Sequence, residues 1–256
     1  MSKDEKKAEA KGERIAKVIA RAGVCSRREA ERLIEQGRVA VDGKTLKTPA
    51  VLVVSGSIVT IDGEPLSAPE RTRLFRYHKP AGVLTAERDP QGRPTIYDTF
   101  PPGVPRLMPV GRLDFNSEGL LLLTNDGGLK RHLELPATGW IRRYRVRVFG
   151  QPDPAALKRL AKGTTIEGIQ YGPIEASIDS VKGSNAWLTV SLREGKNREV
   201  RRVMEDLGLQ VNRLIRIAYG PFQLGDIPRG GAEEVPRKML REQLGAMLDG
   251  PRTGKR

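Results

Sequence analysis

The chain has 256 residues, more than one domain usually contains, so a small domain followed by a larger one is expected. Its 45 Lys and Arg outnumber 31 Asp and Glu and give a net charge of +14 at pH 7, so the surface should attract a polyanion, and nucleic acid is the expected partner. A single cysteine excludes an intramolecular disulfide framework, and with only two histidines beside it no clustered zinc site can form, so no metal or other cofactor is predicted.

Both ends of the chain are polar. Residues 1–12 consist almost entirely of Lys, Glu, Asp, Ala, Ser and Gly, which bury too little apolar surface to fold, so they predict a disordered basic arm. Residues 249–256 predict a similar disordered tail. No apolar run approaches the roughly 18 residues of a membrane-spanning helix, and no signal-peptide core follows the charged start. The sequence therefore predicts a cytoplasmic protein with no membrane partner.

Residues 13–61 have the pattern of a small helix–helix–strand domain. Apolar residues at helical spacing predict a first helix, which Gly23 can end: Ile15, Val18, Ile19 and Ala22. Ser26 and Glu29 have the spacing of a capping box and predict the start of a second helix, which Gly37 ends. Short strands are predicted at 39–41, 51–54 and 58–61, with a tight turn at Asp42-Gly43.

Five arginines cluster around this predicted helical pair: Arg21, Arg27, Arg28, Arg32 and Arg38. Their side chains fit two interpretations equally well, phosphate contacts or a merely solvated helix face. The segment as a whole resembles the alpha-L RNA-binding module, which is named after a small-subunit ribosomal protein. The resemblance rests on residues 14–17 and 22–30, then on Ile34, Gly37, Val39, Val41 and Asp42-Gly43. It implies that the five arginines bind structured RNA.

A polar segment at 62–71, with Gly63, Pro65, Ser67 and Pro69, predicts a linker to a second domain at 72–248. Strand patterns recur in that domain, at 74–77, 120–124, 144–148, 174–178 and 187–192. Helical patterns are fewer, at 154–162, 197–207 and 236–248. The predicted fold class is α+β, with a small N-terminal helix–helix–strand domain and a larger, mainly antiparallel sheet domain.

The stretch Gly111-Arg112-Leu113-Asp114 carries the most chemical information. A charged pair stands there beside Ser117-Glu118-Gly119 and the apolar run 120–123, which predicts a buried strand. A carboxylate near such a strand needs a nearby cation to stay ionised, so Asp114 is expected to have a basic partner. Taken alone, the Arg-Leu-Asp tripeptide fits better with an ordinary turn aspartate that caps the strand entry.

In its context the stretch resembles the signature of pseudouridine synthases of the RsuA/RluB type, and companion motifs follow in the family's order. These are Lys79-Pro80-Ala81-Gly82-Val83, Arg143-Tyr144-Arg145-Val146, residues 194–202 and Leu214-Ile215-Arg216-Ile217, the last with Tyr219-Gly220 and Leu224-Gly225. The resemblance covers residues 72–235. One departure is Ser117, where threonine is common, and the hydroxyl is kept.

The resemblance implies isomerisation of a uridine without a cofactor. Asp114 would be the nucleophile, attacking either C6 of uracil or C1′ of ribose, a choice that the residues leave open. Arg201 would be the basic partner of Asp114, and Tyr144 would stack on the base and help remove a proton. The target must leave its base stack, and the guanidinium of Arg112 can fill the gap. An aliphatic base pocket is expected from Leu214 and Ile217.

Further RNA contacts are expected from basic residues of these motifs: Lys79, Lys196, Arg198 and Arg202. Three more arginines should lie on the strand face opposite Tyr144, where RNA contact and simple solvation are equally compatible with the pattern: Arg143, Arg145 and Arg147.

The motif at 197–202 and the segment 214–225 most resemble the B-type synthase of the large ribosomal subunit, so ribosomal RNA of that subunit or its precursor is the predicted partner. Two alternatives stay open: a synthase acting on another structured RNA, and a non-catalytic RNA-binding ribosome-assembly factor. The joint presence of Asp114, Tyr144 and Arg201 disfavours the second. A nucleic-acid hydrolase is disfavoured because no cluster of carboxylates or Ser-His-Asp arrangement stands out.

Overall fold

The computed structural model describes residues 12–68, 70–101, 105–135 and 138–245. Of the arm predicted at 1–12 only Gly12 is among them, and the tail predicted at 249–256 lies outside them. The chain divides into two units between Arg71 and Thr72. Each has an apolar core of its own and is described separately.

The N-terminal unit contains two helices and short strands, as its sequence pattern predicts. Its elements are β1 (Glu13–Arg14), α1 (Ile15–Arg21), α2 (Arg27–Glu35), β2 (Val39–Val41), β3 (Lys44–Thr45), β4 (Leu52–Val53), β5 (Val59–Ile61) and β6 (Glu64–Pro65). Four strands form a sheet in the order β3-β2-β5-β6, and β1 pairs with β4. The core between helices and strands contains Ile15, Ile19, Ile34, Val39 and Val59.

Two local predictions for this unit can be compared with its geometry. Ser26 caps α2, since its hydroxyl accepts a hydrogen bond from the amide of Glu29 at 3.2 Å. The carboxylate of Glu29 bonds to Arg32 and does not return to the backbone, so only half of the predicted capping box forms. The linker prediction is wrong in its first part, because Glu64 and Pro65 form β6 and pair with β5.

The second unit is built on one large sheet. Its strands are β7 (Leu74–Lys79), β8 (Met108–Val110), β9 (Glu118–Thr124), β10 (Arg142–Phe149), β11 (Thr164–Ile166), β12 (Ile169–Tyr171), β13 (Ile174–Lys182), β14 (Asn185–Leu192), β15 (Gln210–Tyr219), β16 (Phe222–Gln223) and β17 (Ala232–Glu234). Its helices are α3 (Gly127–Glu134), α4 (Pro154–Arg159), α5 (Glu199–Asp206) and α6 (Arg237–Leu244), with 3-10 turns at Ile96–Thr99 and Leu160–Lys162.

The central strands of the sheet run in the order β13-β14-β10-β15-β9-β7-β17, with β16 beside β15 and β8 beside β9. All these pairs are antiparallel except β15 with β9. The parallel pair brings Gly119 against Arg216, and a side chain at Gly119 would lie 2.7 Å from the backbone nitrogen of Arg216. A glycine is therefore required where the loop after β8 enters the sheet.

Strand β9 is buried on both faces, which explains its continuous apolar sequence. Leu121 and Leu123 belong to one apolar cluster, with Tyr144 and residues of α5, whereas Leu120 and Leu122 belong to a second one, with residues of α3 and α6. Because successive side chains of a strand point to opposite faces, the two clusters lie on opposite sides of the sheet.

Helix α3 is absent from the sequence prediction, although Asp126 caps it and Leu129 and Leu133 form its buried face. The helix has only eight residues, so its apolar pattern repeats over just two turns. Because it also begins with two glycines, which disfavour helices, the sequence pattern does not indicate it. Helix α5 begins two residues later than the predicted 197, because Arg198 adopts a left-handed conformation with φ of 52°.

Candidate active site

Asp114 lies in the loop between β8 and β9, in which the chain turns at Gly111. The amide of Ser117 donates to the carbonyl oxygen of Asp114 at 3.0 Å and closes a turn. Among the residues that the structure describes, none forms a hydrogen bond or ion pair with the half-buried carboxylate of Asp114. Its backbone is fixed while its carboxylate is uncommitted, which suits a group that reacts with a bound molecule.

Lys79, the last residue of β7, holds this loop. Its side chain is fully buried, and Nζ donates to the carbonyl oxygens of Ser117 at 2.8 Å, Pro80 at 3.0 Å, Asp114 at 3.1 Å and Phe115 at 3.4 Å. Burial lowers the pKa of Lys79 to about 8, against the opposing effect of the Asp114 and Glu118 charges. The prediction that Lys79 binds RNA is wrong, because a buried ammonium with four carbonyl partners cannot reach a phosphate.

Asp114 opens onto a cleft of about 350 Å³. The cleft is formed by the Asp114 loop, by β10 and β15, and by the loop that precedes α5. Its lining includes six of the ten site residues predicted in the synthase unit: Arg112, Asp114, Tyr144, Lys196, Arg198 and Leu214. The lining residues that were not predicted for the site include Arg142, Glu199, Arg216 and Tyr219.

Tyr144 faces this cleft from β10, where every second residue is buried. It is 8% exposed, and its hydroxyl bonds to no residue in the described part of the chain. Leu214 lies on the same side of the sheet in β15. Ile217 lies at an irregularity of β15, where the pairing with β10 passes from Arg216 opposite Tyr144 to Ala218 opposite Arg143, and it does not line the cleft. The assignment of Ile217 to the base pocket is therefore wrong.

Arg201 is buried in α5 and touches the Asp114 loop through the backbone. Its Nη2 donates to the carbonyl oxygen of Asn116 at 3.0 Å, and its Nη1 donates to that of Val211 at 3.2 Å. Within the described residues no ion pair within 4 Å joins Arg201 to Asp114, so the predicted direct pairing is not observed. Burial lowers the pKa of Arg201, as does the charge of Arg198, whereas the charge of Asp114 raises it. Arg201 thus adds positive potential near the carboxylate and fixes the loop.

The loop before α5 is held by two glutamates. Glu194 accepts hydrogen bonds from the amide of Gly172 and from Nζ of Lys196, both at 2.6 Å. Glu199 is buried, accepts a bond from the amide of Lys196 at 2.8 Å, and has its Oε1 atom without a partner in the described residues. Burial raises the pKa of Glu199 to about 7, and the negative charge of Glu194 acts in the same direction.

The cations at the mouth of the cleft are exposed. Arg112 and Arg198 are both solvent-accessible and line the cleft, so they can contact a bound polyanion. Arg202 is half-buried and is absent from the lining. Phe115, which sequence reasoning did not single out, is 37% exposed beside Asp114. An exposed aromatic ring next to the loop can stack on a base.

In the N-terminal unit all five predicted RNA-binding arginines are exposed. Arg21, Arg32 and Arg38 pair with Glu13, Glu29 and Asp62 at 3.1, 3.2 and 2.5 Å. Arg27 and Arg28 form no ion pair within the described residues. Surface pairs of this kind contribute little free energy, so all five guanidinium groups can be recruited by phosphates.

The residues that the structure describes contain no group of three or more His, Cys, Asp or Glu side chains placed to hold a metal ion. None of their helices is long and apolar enough to cross a membrane.

Residues 73–206 match the family described as RNA pseudouridylate synthase, and residues 13–59 match the S4 domain. A relative from Rickettsia prowazekii (strain Madrid E), described as an uncharacterized RNA pseudouridine synthase, is 45% identical over 90% of this chain and 97% of its own length. The chain belongs to the RNA pseudouridine synthases. The first match confirms the family predicted from the motifs, and the S4 match confirms the predicted N-terminal RNA-binding module. Enzymes of this family are isomerases.

Other relatives carry a more specific description. Proteins described as ribosomal large subunit pseudouridine synthase B are 44% identical in Yersinia pestis, over 89% of this chain and 74% of theirs, and 45% identical in Haemophilus influenzae, over 92% and 69%. A crystal structure of a pseudouridylate synthase is 25% identical with a TM-score of 0.62, covering 89% of this chain and 98% of that one. The predicted α+β fold of this RNA pseudouridine synthase is confirmed.

The raised pKa of Glu199 predicts a pH-dependent stability. Between its ordinary value of 4.5 and about 7, the folded protein keeps a proton that the unfolded chain releases, so stability is lost as pH rises through this window. Glu199→Gln removes that loss. We expect the variant to gain on the order of 3 kcal/mol over the wild type between pH 4.5 and pH 7.5, measured by urea unfolding. Glu205→Gln, an exposed change in the same helix, should show no such gain. A pH-independent difference for Glu199→Gln would contradict the assignment.

Proposed function

We propose that this enzyme isomerises a uridine of large-subunit ribosomal RNA to pseudouridine, with Asp114 as nucleophile and the target base flipped into the cleft. The carrying observation is the uncommitted carboxylate of Asp114, which opens onto the same cleft as Tyr144 from a loop held by Lys79. The relatives described as large subunit synthase B support the choice of RNA.

The reaction breaks the bond between N1 of uracil and C1′ of ribose and forms one between C5 and C1′. N1 gains a hydrogen and C5 loses one, so the atoms balance without a cofactor. Attack by the carboxylate of Asp114 on C6 or on C1′ divides the exchange into easier steps. Arg201 adds positive potential near the carboxylate, although no direct pair joins the two.

The surroundings of Asp114 fit a single extruded nucleotide. A cleft of about 350 Å³ is at the lower end of the range for small-molecule sites, which suits one nucleotide and not a stacked pair. Leu214 provides an apolar surface for the base. Tyr144 can stack on the base and assist removal of its C5 proton. Arg112, exposed at the mouth, can occupy the space that the flipped base leaves.

We further propose that the N-terminal unit provides affinity and the cleft provides chemistry. The exposed arginines of the S4 domain can neutralise phosphates of structured RNA, and so can Lys196, Arg198 and Arg202 of the synthase unit. The alternative substrate is another structured RNA, which the same basic surfaces would bind.

The nucleophile is tested by Asp114→Asn, which keeps the shape of the side chain and removes its negative charge. We expect RNA binding within about threefold of wild type and a rate of isomerisation at least 10³-fold lower, because a covalent step loses its nucleophile. Pseudouridine should disappear from one position of large-subunit rRNA in cells that carry only this variant. Asp206→Asn, an exposed change on α5, is the matched control. Activity of Asp114→Asn near that of the control would refute the assignment, and an unchanged rRNA map with changes in another RNA would refute the substrate.

The division of labour is tested in the full chain by the double variant Arg27→Gln/Arg28→Gln. Because each lost phosphate contact weakens counterion release, affinity should fall and the salt slope of binding should become shallower by roughly 1 to 2. Single-turnover rates at saturating RNA should stay within about twofold of wild type. Lys158→Gln/Lys182→Gln removes the same charge from exposed positions of the synthase unit and should leave the salt slope unchanged. A collapse of the saturated rate with unchanged affinity would show that the N-terminal unit belongs to the active site.

A further inference from the structure

Arg216 is a buried cation in the wall of the cleft. It lies in β15 between β9 and β10 and is 3% exposed, although its side chain borders the cleft that Asp114 enters. Its Nε donates to the carbonyl oxygen of Leu120 at 2.7 Å. Its Nη2 is buried and has no hydrogen-bond partner in the described part of the chain. Leaving a charged donor unsatisfied in this way is costly unless a ligand completes it.

No carboxylate neutralises Arg216. The structure shows no ion pair between Arg216 and any described residue. Two acids of this region are committed elsewhere: Glu118 pairs with Arg213 and Arg229, and Glu134 accepts bonds from the amide of Gly111 and from Lys130. Asp114 lies in the same cleft but forms no pair with Arg216, and Lys79, whose pKa Arg216 lowers, is a further nearby cation. The cleft therefore holds an uncompensated positive charge that favours an anionic ligand.

The guanidinium of Arg216 is oriented before any ligand arrives. The bond from Nε to Leu120 fixes one edge, and the ring of Tyr219 lies 5.2 Å from the guanidinium carbon. On the adjacent strand, Tyr144 is the direct neighbour of Arg216 across the sheet. The free Nη2 therefore belongs to the same wall as the residue that is proposed to stack on the base. A donor held in advance in a dry wall is well placed to stabilise negative charge.

We propose that Arg216 is a substrate-binding residue whose guanidinium group donates to a negatively charged oxygen of the target nucleotide. This inference rests on the proposed function. Two oxygens share the required chemistry. One belongs to the phosphate next to the target uridine. The other is a uracil carbonyl oxygen, which gains negative charge whether Asp114 adds to C6 or displaces uracil from C1′.

The kinetic test uses the full chain and rRNA labelled with [5-³H]uridine from cells that lack the protein, because isomerisation releases the C5 hydrogen. Arg216→Gln removes the charge. Arg216→Lys keeps the charge but replaces the planar guanidinium, which has several donor nitrogens, by a single ammonium nitrogen. Lys182→Gln, exposed at the far end of β13, is the matched control. In single turnover, each Arg216 variant should have a lower saturated rate or a higher half-saturating RNA concentration. We expect a change of at least tenfold for Arg216→Gln and at least threefold for Arg216→Lys. If Arg216→Gln does not fold, Arg216→Lys carries the test.

The pattern of loss distinguishes the two oxygens. Loss of a phosphate contact raises the half-saturating RNA concentration and makes the slope of log affinity against log salt concentration shallower by about 1. A contact with uracil lowers the saturated rate and leaves half-saturation unchanged. Either pattern supports the proposal. Both parameters within twofold of Lys182→Gln, for each Arg216 variant that folds, would overturn it.

A binding measurement separates a ligand contact from a purely structural role. The guanidinium ¹⁵N signals of Arg216 in the wild-type protein should shift on titration with uridine 5′-monophosphate, and with uridine as well if uracil is the acceptor. A kinetic loss without a shift in either titration would assign the loss to the sheet and overturn the proposal. If the wild type released no tritium from rRNA, the proposed function would fail, and the titration would still test Arg216.

Discussion

The buried ammonium group of Lys79 donates hydrogen bonds to three carbonyl oxygens of the loop that carries Asp114 and to the carbonyl oxygen of Pro80. A loop between two strands normally has several backbone conformations of similar energy, whereas here one cation bonds to residues 114, 115 and 117 at once. Within residues 114–117, the bond from Arg201 to Asn116 adds the one residue that Lys79 does not contact. The loop is thereby fixed through its main chain, and the side chain of Asp114 remains available for chemistry.

The same arrangement gives the cleft its electrostatic character. Lys79, Arg201 and Arg216 are all buried, and none of them forms an ion pair with a described residue. Their hydrogen bonds go to backbone carbonyl oxygens and not to carboxylates, which leaves a net positive charge around the one carboxylate of Asp114. Such a site favours an anionic ligand. This suits an RNA pseudouridine synthase, because RNA is a polyanion.

Local patterns in the sequence predicted much of this. Alternation in β10 placed Tyr144 on the buried face opposite Arg143, Arg145 and Arg147, and the structure confirms it. The apolar run of β9 predicted a buried strand beside Asp114. The motifs were sufficient for the family only when taken together and in order, because the Arg-Leu-Asp tripeptide alone fits an ordinary turn aspartate.

Other features depend on burial and registry, which a motif does not contain. Lys79 was assigned to RNA because a lysine in a basic chain is usually exposed, and only the fold shows the carbonyls around it. The prediction that Arg201 reaches the carboxylate of Asp114 is wrong, because its Nη1 and Nη2 bond to two backbone oxygens. Ile217 lies at an irregularity in the pairing of β15 with β10, which a motif does not show. Arg216 was part of a quoted motif, yet its open donor depends on β9, a neighbour distant in sequence.

Lys79 acts as a structural cation for the loop that carries Asp114 and not as an RNA contact. The direct test measures the single-turnover rate and the RNA affinity of Lys79→Met across a range of salt concentrations, at a temperature at which the variant is folded. We expect a saturated rate at least tenfold below wild type, with affinity within about twofold and an unchanged salt slope, because no phosphate contact is lost. An unchanged saturated rate with weaker binding and a shallower salt slope would contradict it.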